Sequence, residues 1–178
     1  GTTTAQPSPL LEQPDYTNNE HTGRVTGAAV DSDGNVYTAS QDNTVKKIDP
    51  QGQTIWTNTD HTSAVLDVEV DEDGNVYTAS VNSTANDIVG VVKKIDPQGN
   101  TIWTNTDHTS TVNDVAVGKN GNVYTASNDN TVKKIDPQGQ TIWTNTDHTG
   151  TVNGVAVGKN GNVYTASNDN TVKKIDPQ

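Results

Sequence analysis

The sequence predicts an all-β fold: a β-propeller of four four-stranded antiparallel blades, with a strand near its N-terminus closing the last blade. Three observations predict it. The string Gly-Asn-Val-Tyr-Thr-Ala-Ser recurs at 34–40, 74–80, 121–127 and 161–167, at successive offsets of 40, 47 and 40 residues. Self-similarity near that period marks propeller blades. Each unit also holds four short β-rich runs separated by turn residues, the strand content of one blade. Finally, only 29% of residues are hydrophobic and Phe, Met and Cys are absent, so the chain cannot assemble one large core but can assemble several small ones.

Taken in order, residues 1–13, with Pro7, Pro9 and several Thr, show no periodicity and are expected to form a flexible lead-in or tether. The propeller is expected over 14–178. Its last unit shows the pattern most plainly. Residues 151–157 alternate Val152, Val155 and Val157 with small or polar residues and stop at a Gly-Lys-Asn-Gly turn, giving a first strand. Residues 162–167 and 171–176 are two further β-rich runs. In the earlier units an Asp-Pro-Gln-Gly turn follows, in which Pro presets φ and Gly supplies the permissive position. The fourth run, such as 141–146 with Ile142 and Trp143, ends at a polar Asp-His-Thr corner. The first three strands of the blades are thus expected within 21–50, 61–97, 108–137 and 148–178. The outer strands are expected at 54–59, 101–106 and 141–146, with a further run of the same type at 14–19.

The last unit stops at Gln178, where each earlier unit continues into its outer strand, while 14–23 aligns with 141–150 and sets Tyr16 where Trp143 sits. A spare outer strand and a missing one are complementary, and pairing them removes two exposed sheet edges. Closure by the N-terminal strand within one chain is the expected arrangement. Exchange between two chains is the alternative, making each chain half of an eight-bladed homodimeric ring.

Residues 101–138 and 141–178 differ only at Ser110 versus Gly150 and Asp114 versus Gly154, so the last two units are near-copies. The stretch running from His148 to 165–176, Thr-Ala-Ser-Asn-Asp-Asn-Thr-Val-Lys-Lys-Ile-Asp, resembles the WD repeat. The string Gly154-Val155-Ala156-Val157 followed by Gly161-Asn162-Val163-Tyr164 is similar to the NHL repeat. Gly139-Gln140-Thr141-Ile142-Trp143 is similar to quinoprotein-type (PQQ-like) blades, with the Trp moved to the outer strand. The WD resemblance implies a structural hydrogen-bond network in which His21, His61, His108 and His148 meet Thr38, Thr78, Thr125 and Thr165 and fix Asp42, Asp129 and Asp169. Ile175 stands where that family has Trp, and the second unit has no clear counterpart of the Asp. These families share blades and differ in activity, so no catalytic set carries over.

A formal charge of -11, from 22 acidic and 11 basic residues, repels phosphate backbones and anionic headgroups, which argues against nucleic acid as a partner. No run of apolar residues is long enough for direct membrane insertion. With no Cys there is neither a disulfide nor a thiolate nucleophile. No nucleophile elbow, phosphate-cradling glycine loop or His-Glu zinc helix occurs, and paired carboxylates are expected only in turns, so the chain is read as no enzyme.

Several residues are candidates for chemistry. Four symmetric histidines could ring a metal, but the corner positions favour the structural network. Trp56, Trp103 and Trp143, with Tyr16, give one large aromatic per blade and are read as blade-packing residues that each stabilise by a few kcal/mol, at about 25 cal/mol per Å² buried. Asp31 and Asp33, and likewise Asp71 and Asp73, set two carboxylates before a Gly turn, the start of an oxygen-rich loop suited to calcium. Neither stretch supplies the late bidentate acid, so an ordinary hairpin turn and no cofactor are expected. The Lys pairs such as Lys46-Lys47 sit on adjacent strand positions and point to opposite faces. One feature breaks the repeat: seven extra residues within 81–90 of the second unit. They are expected to rise from the face carrying the histidines and to offer Asn82, Ser83, Thr84, Asn86 and Asp87 to a ligand.

The expected function is a non-catalytic binding or adhesion module, extracellular or on a cell or virion surface, that contacts protein or glycan through this loop-bearing face. The alternative is a structural, assembly or decoration subunit of a larger surface or viral assembly, with a homo-oligomer or larger complex as its context.

Overall fold

The computed structural model describes residues 14–178, which form fifteen β-strands and no helix. Blade 1 contains β1 (Val25–Val30), β2 (Val36–Ser40), β3 (Val45–Ile48) and β4 (Thr54–Asn58). Blade 2 contains β5 (Val65–Val70), β6 (Val76–Ser83), β7 (Ile88–Ile95) and β8 (Thr101–His108). Blade 3 contains β9 (Val112–Val117), β10 (Val123–Ser127), β11 (Val132–Ile135) and β12 (Thr141–Asn145), and blade 4 contains β13 (Val152–Val157), β14 (Val163–Ser167) and β15 (Val172–Ile175). Each sheet is an antiparallel meander in chain order, of four strands in the first three blades and three in the last. The expected lead-in at 1–13 lies outside the described residues.

Local chemistry sets the meander. At the turn between third and fourth strands of blade 1, Asp49 Oδ1 accepts from the backbone N–H groups of Gln51 and Gln53 at 2.9 and 2.8 Å. Gly52 completes that turn at φ +86°, a conformation that costs glycine nothing. Between second and third strands, Asn43, Asn130 and Asn170 take positive φ, which their short polar side chains tolerate.

The cores lie between blades, not within one. Tyr37, Ala39 and Val45 of blade 1 meet Val65, Val68, Val76 and Ile95 of blade 2. The same construction recurs with Tyr77, Ala79 and Val92 against Val112, Val115, Val123 and Ile135, and with Tyr124, Ala126 and Val132 against Val152, Val155 and Val163. Each first strand packs beside the next, β1 on β5, β5 on β9 and β9 on β13. The alternation of Val with polar residues therefore marks which side of each blade meets its neighbour.

The structure corrects the expected closure within one chain. Residues 14–20 are extended but join no ladder, so 14–19 is not a strand, and β15 has no partner on its outer side among the described residues. A strand is defined by its hydrogen-bonded neighbour as much as by its own residues, and here the neighbour is missing.

Candidate functional site: the histidine corners and the extended hairpin

At the corner before each first strand, a histidine bridges two strands. In blade 1, His21 Nδ1 lies 2.8 Å from Asp42 Oδ2 and its Nε2 lies 2.7 Å from Thr38 Oγ1. Blades 3 and 4 repeat this with His108, Asp129 and Thr125 at 2.7 and 2.7 Å, and with His148, Asp169 and Thr165 at 2.8 and 2.7 Å. A carboxylate only accepts, so Nδ1 carries a hydrogen and donates; in the neutral ring Nε2 then accepts from the threonine hydroxyl.

Each aspartate is saturated. Asp129 also accepts from the Thr109 and Thr131 backbone N–H groups at 3.0 and 3.0 Å and from Thr131 Oγ1 at 2.6 Å. Burial alone would push the Asp129 carboxyl up, but the bonds from His108 and Thr131 outweigh it and hold the group far below the ordinary carboxylate range. The same balance, with Thr44 ahead of His21, lowers Asp42, and at Asp169 the Thr171 hydroxyl leads.

Blade 2 departs from the pattern. His61 keeps Thr78, with Nε2 at 3.0 Å from Oγ1, but its Nδ1 faces Ser80 Oγ at 3.0 Å in place of a carboxylate. Burial without an acidic partner, helped by the Lys93 charge, pushes the His61 ring down to about 4. The turn that would carry the aspartate has been replaced by the insertion. Residues expected to form a loop instead lengthen the ladder: β6 and β7 pair out to Ser83 opposite Ile88, and the tip closes where Thr84 N donates to Asp87 O at 2.9 Å.

Asn82, Ser83, Thr84, Asn86 and Asp87 are all exposed on this hairpin, and Ile88 beside them is 51% exposed. The hairpin rises on the histidine-bearing face, as expected. It leans on blade 3: a Cβ at Gly90 would collide with Ser110 O and would lie 2.7 Å from His108 Cβ and 2.8 Å from Val112 Cγ2.

Trp56 lies on Gly99 and Trp103 on Gly139 of the next blade, and each indole N–H donates at 3.0 Å, to Pro97 O and Pro137 O respectively. Trp143 Nε1 is buried and has no hydrogen-bond partner among the described residues, while Pro177 O accepts from Lys134 Nζ. Tyr16 lies on Gly52 in the manner of the tryptophans. Asp31 accepts from the backbone N–H groups of Asp33 and Asn35, from Asn35 Nδ2 and from Tyr37 OH, all at 2.9–3.0 Å. Asp71 is bonded likewise by Asp73, Asn75 and Tyr77. Both carboxylates thus brace turns, with Asp33 and Asp73 contributing backbone N–H groups. Among the described residues no group of three or more His, Cys, Asp or Glu side chains is suited to hold a metal ion. The Lys pairs divide as their strand positions require: Lys46 Nζ donates to Thr57 Oγ1 at 2.9 Å, while Lys47 Nζ stands 5.2 Å over the Tyr37 ring.

Paired carboxylates are expected only in turns, and the structure corrects this. Asp67 on β5 and Asp114 on β9 stand together between blades. Asp67 Oδ2 accepts from Val115 N at 3.1 Å, and Asp114 Oδ2 accepts from Val155 N at 2.7 Å. Burial, then the neighbouring Asp114 carboxyl, pushes Asp67 up to about 7. Blades 1 and 4 carry Gly27 and Gly154 at this position, and that difference between near-copies was the available signal. On the face opposite the histidines, a cleft of about 600 Å³ between blades 2 and 3 is lined by Glu69, Asp71, Asp73 and Lys94 of blade 2 and by Lys119 of blade 3.

Two family models match the chain. One, described as outer membrane protein assembly factor BamB, matches residues 89–178; the other, described as WD domain, G-beta repeat, matches residues 12–49. The chain is similar in structure to the crystal structure of the computationally designed Ika4 protein, with TM-score 0.79 and 23% sequence identity over 93% of this chain and 100% of that chain. At that identity the likeness concerns the fold, a β-propeller. No curated protein matches the chain.

Proposed function

Because the chain belongs to the family described as outer membrane protein assembly factor BamB, whose model its residues 89–178 match, we propose that it is a non-catalytic β-propeller binding module that contacts protein or glycan through its histidine-bearing face. Propeller repeat domains commonly serve as interaction platforms. The assembly role in the family's name is that protein's own; the blade is what the two share. The observation that carries the reading is the hairpin at 81–90. Among the described residues it is the one departure from the repeat that projects from the blades, and it presents five polar side chains and Ile88 at a tip. Rigid blades beneath it hold the tip in place, the arrangement in which loops recognise partners. A net charge of -11 disfavours anionic partners and leaves neutral or basic ones; in this reading the module works on an extracellular, cell or virion surface.

The test compares the chain with a variant in which residues 81–91 are replaced by Asn-Asp-Asn-Thr, the turn of blade 3. Glycan-array and cell-surface binding by the parent, reduced at least tenfold in the variant, supports the reading. Equal binding by both removes the hairpin as the site. A second reading rests on the near-identity of blades 3 and 4, which repeat one surface as a spacer would. In that reading the chain is a structural or decoration subunit, and it predicts no binding together with recovery inside an assembled particle.

A further inference from the structure

Three interblade cores are made in this structure and a fourth, built from the same residues, is not. Val45, Val92 and Val132 are fully buried at 0% exposure, whereas their counterpart Val172 in blade 4 is 75% exposed. Tyr37, Tyr77 and Tyr124 are buried, whereas Tyr164 is 38% exposed. On the opposite end, Val65, Val112 and Val152 are at 0%, whereas Val25 of blade 1 is 49% exposed. The open side of blade 4 is therefore the surface that the first three blades bury against a following blade. The open side of blade 1 is the surface that the others bury against a preceding one. Polar groups repeat the pattern: Asn113 Nδ2 donates to Asn128 Oδ1 of its own blade and to Val152 O of the next, while among the described residues Asn153 Nδ2 donates only to Asn168 Oδ1 of its own blade.

Residues 14–20 are already seated for this missing contact. Asn18 Nδ2 donates to Gly52 O and Thr54 Oγ1 at 3.0 and 3.1 Å. Asn58, on the outer strand of blade 1, makes the same pair of bonds to Gly99 O and Thr101 Oγ1 of blade 2. The segment thus occupies the place of an outer strand belonging to a blade before blade 1, and it lacks only the sheet to which that strand would pair. Blade 4 is the sheet without an outer strand.

We propose that two copies of this chain join head to tail into an eight-bladed ring, residues 14–20 of each copy supplying the fourth strand of the other's last blade. The register follows from blade 3, where Val132, Lys133 and Lys134 pair with Asn145, Thr144 and Trp143. Val172, Lys173 and Lys174 of one copy accordingly pair with Asn18, Thr17 and Tyr16 of the second copy. Two copies is the number that fits. Blade 1 and blade 4 of one chain do not form this core with each other, two copies give eight blades, and three would give twelve, beyond the usual range of four to eight. Closure about a two-fold axis leaves no free sheet edge.

Two variants test this by light scattering and gel electrophoresis. The parent should run at twice 18.9 kDa, and Val172→Asp at the single-chain mass with a far-ultraviolet circular dichroism spectrum that keeps the β-sheet signal apart from the loss of the exchanged strand, since Val172 touches little in a lone copy. The natural chain has no Cys, so Thr17→Cys combined with Lys173→Cys should give a reducible dimer under oxidation. A parent of single-chain mass, a Val172→Asp variant that stays double, or any assembly larger than two overturns the proposal. A disulfide formed within one chain also overturns it, by showing a four-bladed ring.

Discussion

At the scale of single residues, the corners show how one histidine position takes two electrostatic roles. His108 meets a carboxylate that three other donors saturate, so the pair is a charge-assisted bridge between strands; removing the acceptor leaves a buried donor unpaired. Asp129→Ala should lower stability by about 2–3 kcal/mol, the cost of losing hydrogen bonds to a buried charge, as read by urea unfolding. The pH dependence has a definite sign at each group. Asp42, Asp129 and Asp169 are depressed in the folded state, so the unfolded chain binds protons first as pH falls. Their stabilisation is complete above the ordinary carboxylate range and is lost below about pH 4. His61, held at about 4, stays neutral while the unfolded histidine protonates, so it removes stability as pH falls from about 6.5 toward 4. Asp67 acts the other way: raised to about 7, it keeps a proton that the unfolded chain has released, and stability falls as pH climbs from about 4 to 7. Asp67→Asn should remove that decline, measured as the midpoint of urea unfolding at pH 4.5 and at pH 7.5, while His61→Gln should flatten the opposing slope.

At the scale of elements, the hairpin in blade 2 exchanges a compact turn for reach. The other three blades close this connection with an Asn at positive φ and an Asp that locks the corner; blade 2 extends the ladder and leaves His61 without its acid. Replacing 81–91 with Asn-Asp-Asn-Thr restores that acid and should raise stability by about 1–2 kcal/mol, seen as a higher thermal midpoint than the parent's. The outer turns make the complementary point. Gly99 sits at φ +92°, and a Cβ there would lie 2.9 Å from the Trp56 ring, so Gly99→Ala should cost about 1–3 kcal/mol from backbone strain together with displacement of the indole. Much of this was legible in the sequence, because strands with a period of two and turns built on Asp-Pro-x-Gly are determined by neighbours in the chain. The His–Thr–Asp corner was legible through its resemblance to a known repeat. Two features were not. Whether 14–19 becomes a strand depends on a neighbour distant in sequence. The Asp67–Asp114 contact depends on the angle between blades, which brings equivalent positions of adjacent strands together, and no local pattern encodes that angle.

At the scale of the whole molecule, the interblade cores make stability a nearest-neighbour property, so the terminal blades are the weakest units: each lacks one of the two interfaces that inner blades possess. If two copies supply the missing interfaces to each other, folding and association become one equilibrium. The thermal midpoint of the parent should then rise with protein concentration, whereas that of Val172→Asp should not change. Charge sharpens the test. Each copy carries -11, so association works against mutual repulsion, and the range of that repulsion shrinks from about 30 Å at 0.01 M salt to about 3 Å at 1 M. Added salt should therefore raise the midpoint of the parent more than that of Val172→Asp, since in the variant only repulsion within one copy is relieved. Calorimetric scans over a hundredfold range of concentration at low and high salt measure both effects. A midpoint independent of concentration at either salt would mean that the faces holding Val25 and Val172 remain open to water in solution.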